Sequence, residues 1–422
     1  MTEPSVRAAA SDLAFLTTGS TDGVLPAVDG GISDGGISDG GMSDGGISDG
    51  GDPAAVQADR LLVLRSSVPR QGGRLPVTAV DESALFPALE DAYGLGRWRA
   101  WRRTDHGSSN LSWFVRTDAG DVVLRRSHNL KTVAGAEFEC ALIDHLRGHG
   151  YPAPPVERTR DGSISVQVEG ILHMVTRLMP GRAYDPGDAA QLVEVARGLG
   201  RYHAIVSELS MPGYRERSSG LATLGQVGQE KLYAAVEVMA SLLDADAGAA
   251  LREDARYLAD RMEQLNVGLG GRQKDLTSMV IHGSYGQSAV LMDEGRLSAV
   301  LDFDRSAQEL LGLDLAYALR SFCFNGPIRR AGFGLDPDRC RTFLHHYRSH
   351  APLAESDLAA MPDVFQAQRL MVVVKKCENL LTKQALIPRQ TQDAAKFARI
   401  MDREASCIRL LMDNPFTITE DA

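Results

Sequence analysis

The chain has 422 residues, 44% of them hydrophobic, and a formal net charge of −10. Such a length exceeds one compact core and predicts two lobes with extensions, while the negative balance argues against nucleic acid and anionic membrane as partners. Cys140, Cys323, Cys340, Cys377 and Cys407 lack paired spacing and so give no zinc or disulfide framework. No apolar run reaches membrane-spanning length, and Met1-Thr2-Glu3-Pro4 has no basic-then-apolar signal pattern, so a cytoplasmic location is expected.

In chain order, residues 1–57 are expected to be a disordered tail. Within it, 30–49 are tandem Gly-Gly-Ile-Ser-Asp units with Met42 as the one variant. Two glycines in five carry a large ordering entropy that one Ile per unit does not offset. A calcium-binding solenoid would need a nine-residue period rather than five. Residues 58–97 form an extension with a short strand at Leu61–Leu64 and a helix near Leu85–Tyr93. A small lobe over 98–180 follows, with strands at Trp98–Arg103, Trp113–Val115 and Val122–Leu124. The last two are joined by the turn residues Thr117-Asp118-Ala119-Gly120-Asp121. A helix over 133–148 is read from Phe138, Ala141, Leu142 and Leu146, and strands from Ile164–Val168 and Leu172–Leu178. Met179-Pro180-Gly181 breaks both kinds of element and marks a hinge.

Residues 181–422 are mostly helical. One apolar stripe runs through Leu192, Val195, Ala196, Leu199 and Tyr202, and further helices are predicted at 228–243, 247–265, 338–350, 355–382 and 391–412. The strand signals in this half are Met279–Ile281, Val290–Met292 and Leu297–Leu301. They flank the segment His282-Gly283-Ser284-Tyr285-Gly286-Gln287-Ser288-Ala289, which leads on to Leu301-Asp302-Phe303-Asp304.

That segment resembles the catalytic loop of the aminoglycoside phosphotransferase family, to which choline kinase and type II homoserine kinase are related. The family loop reads His-Gly-Asp, one residue, His, two residues, Asn, and then, after a hairpin, Asp-Phe-Asp or Asp-Phe-Glu. His282, Gly283, Asp302 and Asp304 fit. The base Asp falls on Ser284, the second His on Gly286 and the metal-binding Asn on Ala289. The resemblance covers about 98–412 and implies an α+β, two-lobed protein-kinase-like fold with a β-rich amino-terminal lobe and a helical carboxyl-terminal lobe.

Phosphoryl transfer needs held phosphates, a charge-neutralising metal and an oriented acceptor hydroxyl. Gly107-Ser108-Ser109-Asn110 offers small side chains and exposed amides to a phosphate. Arg125 and Arg126 alternate across their strand, so one faces the cleft; the resemblance favours Arg125, steadied by Glu139, with Glu137 as the alternative. Asp302 is the expected magnesium ligand, Asp304 an assistant or acceptor contact, and Asp314 a helix-capping support of the loop. His282 is expected to tether the loop. Ser284 accepts no proton as a carboxylate would, and no His-Asp partner making it a nucleophile is identifiable from sequence. Ala289 offers a metal no oxygen, and Gly286 removes a polar group. Three replacements within eight residues and without insertion point to a pseudokinase. Such a protein keeps part of an ATP and magnesium site and acts as a binding or accessory partner, beside another enzyme in a small-molecule or peptide pathway. The alternatives are an active ATP-dependent phosphotransferase that uses a displaced carboxylate such as Asp304 on an alcohol of a small molecule or peptide, and transfer of the nucleotidyl group.

Overall fold

The computed structural model describes residues 82–104, 110–127, 131–207, 209, 220–323, 335–384 and 391–413. The repeat-bearing tail, the Leu61–Leu64 strand and Gly107, Ser108 and Ser109 lie outside the described residues. Contacts divide the chain into two units, Met1–Asp144 with Ala153–Arg182, and His145–Pro152 with Ala183–Ala422. The hand-over thus falls at Arg182/Ala183, two residues past the expected boundary after 180.

The first unit is built on an antiparallel sheet in the order β1-β2-β3-β5-β4. Its strands are β1 (Trp98–Arg103), β2 (Leu111–Thr117), β3 (Gly120–Arg126), β4 (Val166–Val168) and β5 (Ile171–Arg177). Alternation gives it two apolar faces. On one face Trp113, Val115, Val122, Leu124 and Val175 form a core with Leu85, Phe86, Leu89 and Tyr93 of helix α1 (Glu82–Tyr93). Residues 82–97 are therefore part of this unit's core rather than a separate extension, because four buried side chains of α1 close the sheet. The other face sets Leu172 and Met174 against Ala136 of α2 (Val133–Gly148).

Beyond His145–Pro152, the second unit resumes at Ala183, the second residue of β6 (Arg182–Ala183), and continues into α3 (Ala189–Val206). Asp188 caps α3 by accepting from the backbone N–H groups of Ala190 and Gln191. Then come α4 (Gln226–Ala240), α5 (Ala245–Arg272), β7 (Ser278–Ile281), β8 (Val290–Asp293), β9 (Arg296–Val300), β10 (Ala307–Leu310) and α6 (Leu311–Phe322). The chain continues through α7 (Pro337–Arg348), α8 (Glu355–Gln384) and α9 (Thr391–Asp413). Helix α8 packs against α4, α6 and α9. Strand β10 is absent from the sequence reading, since Ala-Gln-Glu-Leu has little strand propensity. It exists because its backbone pairs with β7, Ala307 opposite Ile281 and Leu310 opposite Ser278. Among the described residues no helix is long and apolar enough to cross a membrane.

Candidate active site: a braced loop and a buried ion pair

Two ladders fix the loop of the second unit. Strand β7 delivers it, β8 receives it, and β8 pairs with β9 with Val290 opposite Val300. The turn 302–306 then leads from β9 to β10, which returns to β7. Backbone bonds close the arrangement, Leu301 N–H donating to the Ala289 carbonyl at 2.8 Å. Gly283 sits at φ +78°, and a β-carbon there would come within 2.6 Å of the Arg305 carbonyl oxygen, so glycine is required on both counts.

Asp314 holds the loop from below. One carboxylate oxygen accepts from His282 N–H at 2.8 Å and the other from Gly283 N–H at 2.9 Å. His203 Nε2 lies 3.2 Å from Asp314 Oδ2, and its Nδ1 lies 2.8 Å from the Tyr347 hydroxyl. Burial alone would raise the Asp314 pKa, but the hydrogen bond and charge of His203, with His282, hold it below the usual carboxylate value. The expected helix cap is corrected here: Asp314 lies in the first turn of α6, whose N-cap is Leu310, and its oxygens serve the loop rather than the helix end. His203 and Tyr347 were not found from sequence. The signal for His203 was its place four residues after Leu199 on the buried stripe of α3.

His282 is fully buried, and burial lowers its pKa, so it is a neutral imidazole. Its Nε2 is 2.9 Å from the Leu301 carbonyl, which makes Nε2 the protonated nitrogen and leaves Nδ1 as an acceptor. Ser284 N–H donates to Nδ1 at 3.3 Å. The Ser284 hydroxyl is 3.3 Å from the same nitrogen and 3.1 Å from the Asp302 carbonyl, to which it donates. A histidine neighbour for Ser284 thus exists where the sequence showed none, but the serine is only 1% exposed. Its hydroxyl ties the loop to the Asp302 turn.

Ala289 is fully buried and contributes no side-chain oxygen. Gly286 is filled from outside: a β-carbon there would lie 2.7 Å from Ser321 Oγ and 3.0 Å from Tyr317 Cε1. Ser321 Oγ accepts from Gln287 N–H at 3.0 Å, and Gln287 Nε2 donates to the Ser321 carbonyl at 2.6 Å. Asp302 is left-handed at φ +65°, a conformation Asp tolerates better than most residues. Asp302 and Asp304 are both half-buried. Two carboxylates are a donor set that fits a magnesium ion completed by substrate oxygens, which needs only one or two from protein. Among the described residues no group of three His, Cys, Asp or Glu could cage an ion unaided.

In the first unit, Arg125 on β3 donates from Nη2 to Glu139 Oε1 at 2.7 Å, with Met174 Sδ at 3.4 Å. Lys131 Nζ takes the other oxygen of Glu139 at 2.7 Å. Glu139 is buried between two cations while Glu137 is exposed on the same helix. Arg126 lies across from His173 on β5, whose pKa is lowered to about 4 by burial and then by the charge of Arg126. Lys131 was missed because it precedes α2 and belongs to no periodic pattern.

A family profile described as "Phosphotransferase enzyme family" matches residues 100–347, more than half of the chain. The chain belongs to that family. It is 27% identical over 286 residues to a homoserine kinase of Pseudomonas aeruginosa, covering 68% of this chain and 83% of the relative. It is also 24% identical over 284 residues to a homoserine kinase of a Bradyrhizobium species, covering 67% and 79%. Among solved structures, a microcompartment-associated aminopropanol kinase superposes with a TM-score of 0.58 at 16% identity, over 79% of this chain and 98% of the other. The amicoumacin kinase hAmiN, in complex with AMP-PNP, Ca2+ and amicoumacin, gives 0.56 at 17%, over 81% and 96%. The two-lobed kinase-like fold expected from the loop is the fold these neighbours share with the chain.

Proposed function

We propose that this family member is a pseudokinase: it recognises ATP with magnesium but no longer performs base-assisted phosphoryl transfer, and it serves as a nucleotide-responsive binding or accessory partner in a small-molecule or peptide pathway. One observation carries the reading. At the position of the family base stands Ser284, buried and committed as a donor to the Asp302 carbonyl. A hydroxyl so placed takes no proton from an acceptor alcohol, and a positioned base is worth about 10²–10⁴-fold. Ala289 likewise removes one oxygen from the metal set. What remains supports nucleotide recognition: Arg125, oriented by Glu139, offers a guanidinium to phosphate oxygens. Asp302 would hold magnesium, which when bound neutralises phosphate charge.

A second reading has its own support. The homoserine kinases match over about four-fifths of their length, which favours an active ATP-dependent phosphotransferase acting on a hydroxyl, with Asp304 as a displaced base. Thermal shift with ATP and magnesium tests the binding half of the proposal: a saturable rise is expected, and a flat response at millimolar nucleotide would sink it.

A further inference from the structure

Arginine is seldom buried without a carboxylate of its own. In the second unit three arginines meet at one buried glutamate. Glu404 of α9 is 1% exposed; Arg403 donates to its Oε1 at 2.8 Å and Arg369 of α8 to its Oε2. Both oxygens are therefore taken. Arg320 of α6 brings a third positive charge to the same cluster, close enough for Arg369 and Glu404 to act on it electrostatically. Its Nε is buried without a hydrogen-bond partner, and among the described residues it makes no ion pair. Burial, then the charge of Arg369, pushes its pKa down to about 10, so the fold holds this cation against a cost. The residue as a whole is only half-buried, which leaves part of it within reach of a ligand.

Position gives the cluster a meaning. The Arg320 guanidinium carbon lies 5.0 Å from the centroid of the Tyr317 ring, a cation–π contact that seats the charge beside that ring. Tyr317 is the same side chain that abuts Gly286 of the loop. Helix α6 thus braces the loop through Asp314, touches it through Tyr317 and Ser321, and presents Arg320 beyond Tyr317.

We propose that Arg320, backed by Arg369 and Arg403, is the anion subsite for a small ligand of this loop, one that carries an oxyanion, either a carboxylate or a phosphate group. It rests on the reading that the second unit holds a phosphotransferase-type acceptor, whether or not that acceptor is turned over. A guanidinium fork suits either oxyanion through paired N–H donors, and an incoming negative charge would give Arg320 the ion pair it lacks among the described residues.

The test is calorimetric titration of the full chain with three probes: inorganic phosphate, L-homoserine, and 3-amino-1-propanol, which is homoserine without its carboxylate. Saturable binding is expected for at least one oxyanion probe and none for aminopropanol. Homoserine alone assigns a carboxylate, phosphate alone a phosphate group. Arg320→Gln, which leaves both partners of Glu404 in place, should weaken that binding about tenfold or more while the ATP–magnesium response persists. Arg320→Lys, keeping the charge without the fork, should fall between. No binding of either oxyanion, or equal binding by Arg320→Gln and Arg320→Lys and the natural chain, overturns the proposal. Loss of the ATP response with oxyanion binding intact would instead count against the nucleotide reading alone.

Discussion

The buried ion pair of the first unit and the loop of the second are built from similar materials and differ in what has been kept. Around Glu139 the charged groups are all present, with Arg125 and Lys131 each at 2.7 Å. Around His282 the frame is present, the glycine at φ +78°, the Asp314 brace and the Leu301 tether, while the two positions that the resemblance aligns with the family's base and metal-binding Asn hold a buried serine and a buried alanine. A loop's shape and its chemistry are therefore separable. The shape is held by backbone bonds to Asp314, which impose nothing on positions 284 and 289.

The largest effect should come from the brace. Asp314→Ala removes a buried carboxylate that accepts two loop N–H groups, and is expected to cost about 3–5 kcal/mol in urea unfolding. Glu139→Ala, which removes the buried carboxylate between Arg125 and Lys131, should cost a comparable amount and also abolish the ATP response. If Asp314→Ala were nearly neutral, the loop would owe its shape to something else.

Refilling the loop comes next. Gly286→His drives a side chain into Tyr317 and Ser321 and should cost about 1–3 kcal/mol. Ala289→Asn buries an amide without a ready partner, at about the same cost. Neutral outcomes for both would mean that the loop is roomier than its contacts imply.

Acid should weaken both units as pH falls below about 6.5. His282 and His173 have lowered pKa values, chiefly through burial, so each protonates more readily once unfolded. Their contribution is complete above about pH 6.5 and is lost as pH falls toward the folded value, about 4 for His173. Asp314, also lowered, loses its contribution only below the ordinary carboxylate range. His173→Leu should flatten the stability–pH curve between those limits; an unchanged slope would show that His173 is not its source.

Smaller effects separate charge from backbone. Asp302→Asn keeps a residue that tolerates the left-handed turn, so stability should hold while the magnesium dependence of the ATP response disappears. Asp302→Ala should add about 1–2 kcal/mol of backbone strain. Persistent magnesium dependence in Asp302→Asn would assign the metal elsewhere. Glu137→Ala, on the exposed side of α2, should stay within about 0.5 kcal/mol.

Much of this was legible because periodicity and spacing report backbone geometry. The alternation over Val122–Arg126 put Arg125 on the face opposite Leu124, and the resemblance of His282, Gly283, Asp302 and Asp304 to the family pattern marked the loop. What escaped was set by tertiary pairing. Strand β10 is a strand only because β7 lies beside it, and α1 joins the first unit because its apolar side chains complete a sheet face. Lys131, His203 and the Arg320 cluster escaped for the same reason, since each acquires its partner from a distant segment.

The most direct measurement is transfer of the γ-phosphate from labelled ATP by the unmodified protein, with L-homoserine and 3-amino-1-propanol as acceptors and magnesium present. The account predicts bound nucleotide and a turnover at least about 10²–10⁴-fold below the family's chemistry, since no base stands at position 284. Turnover of about 1–100 s⁻¹, the range of working kinases, would contradict it, and its abolition by Asp304→Asn would identify Asp304 as the base.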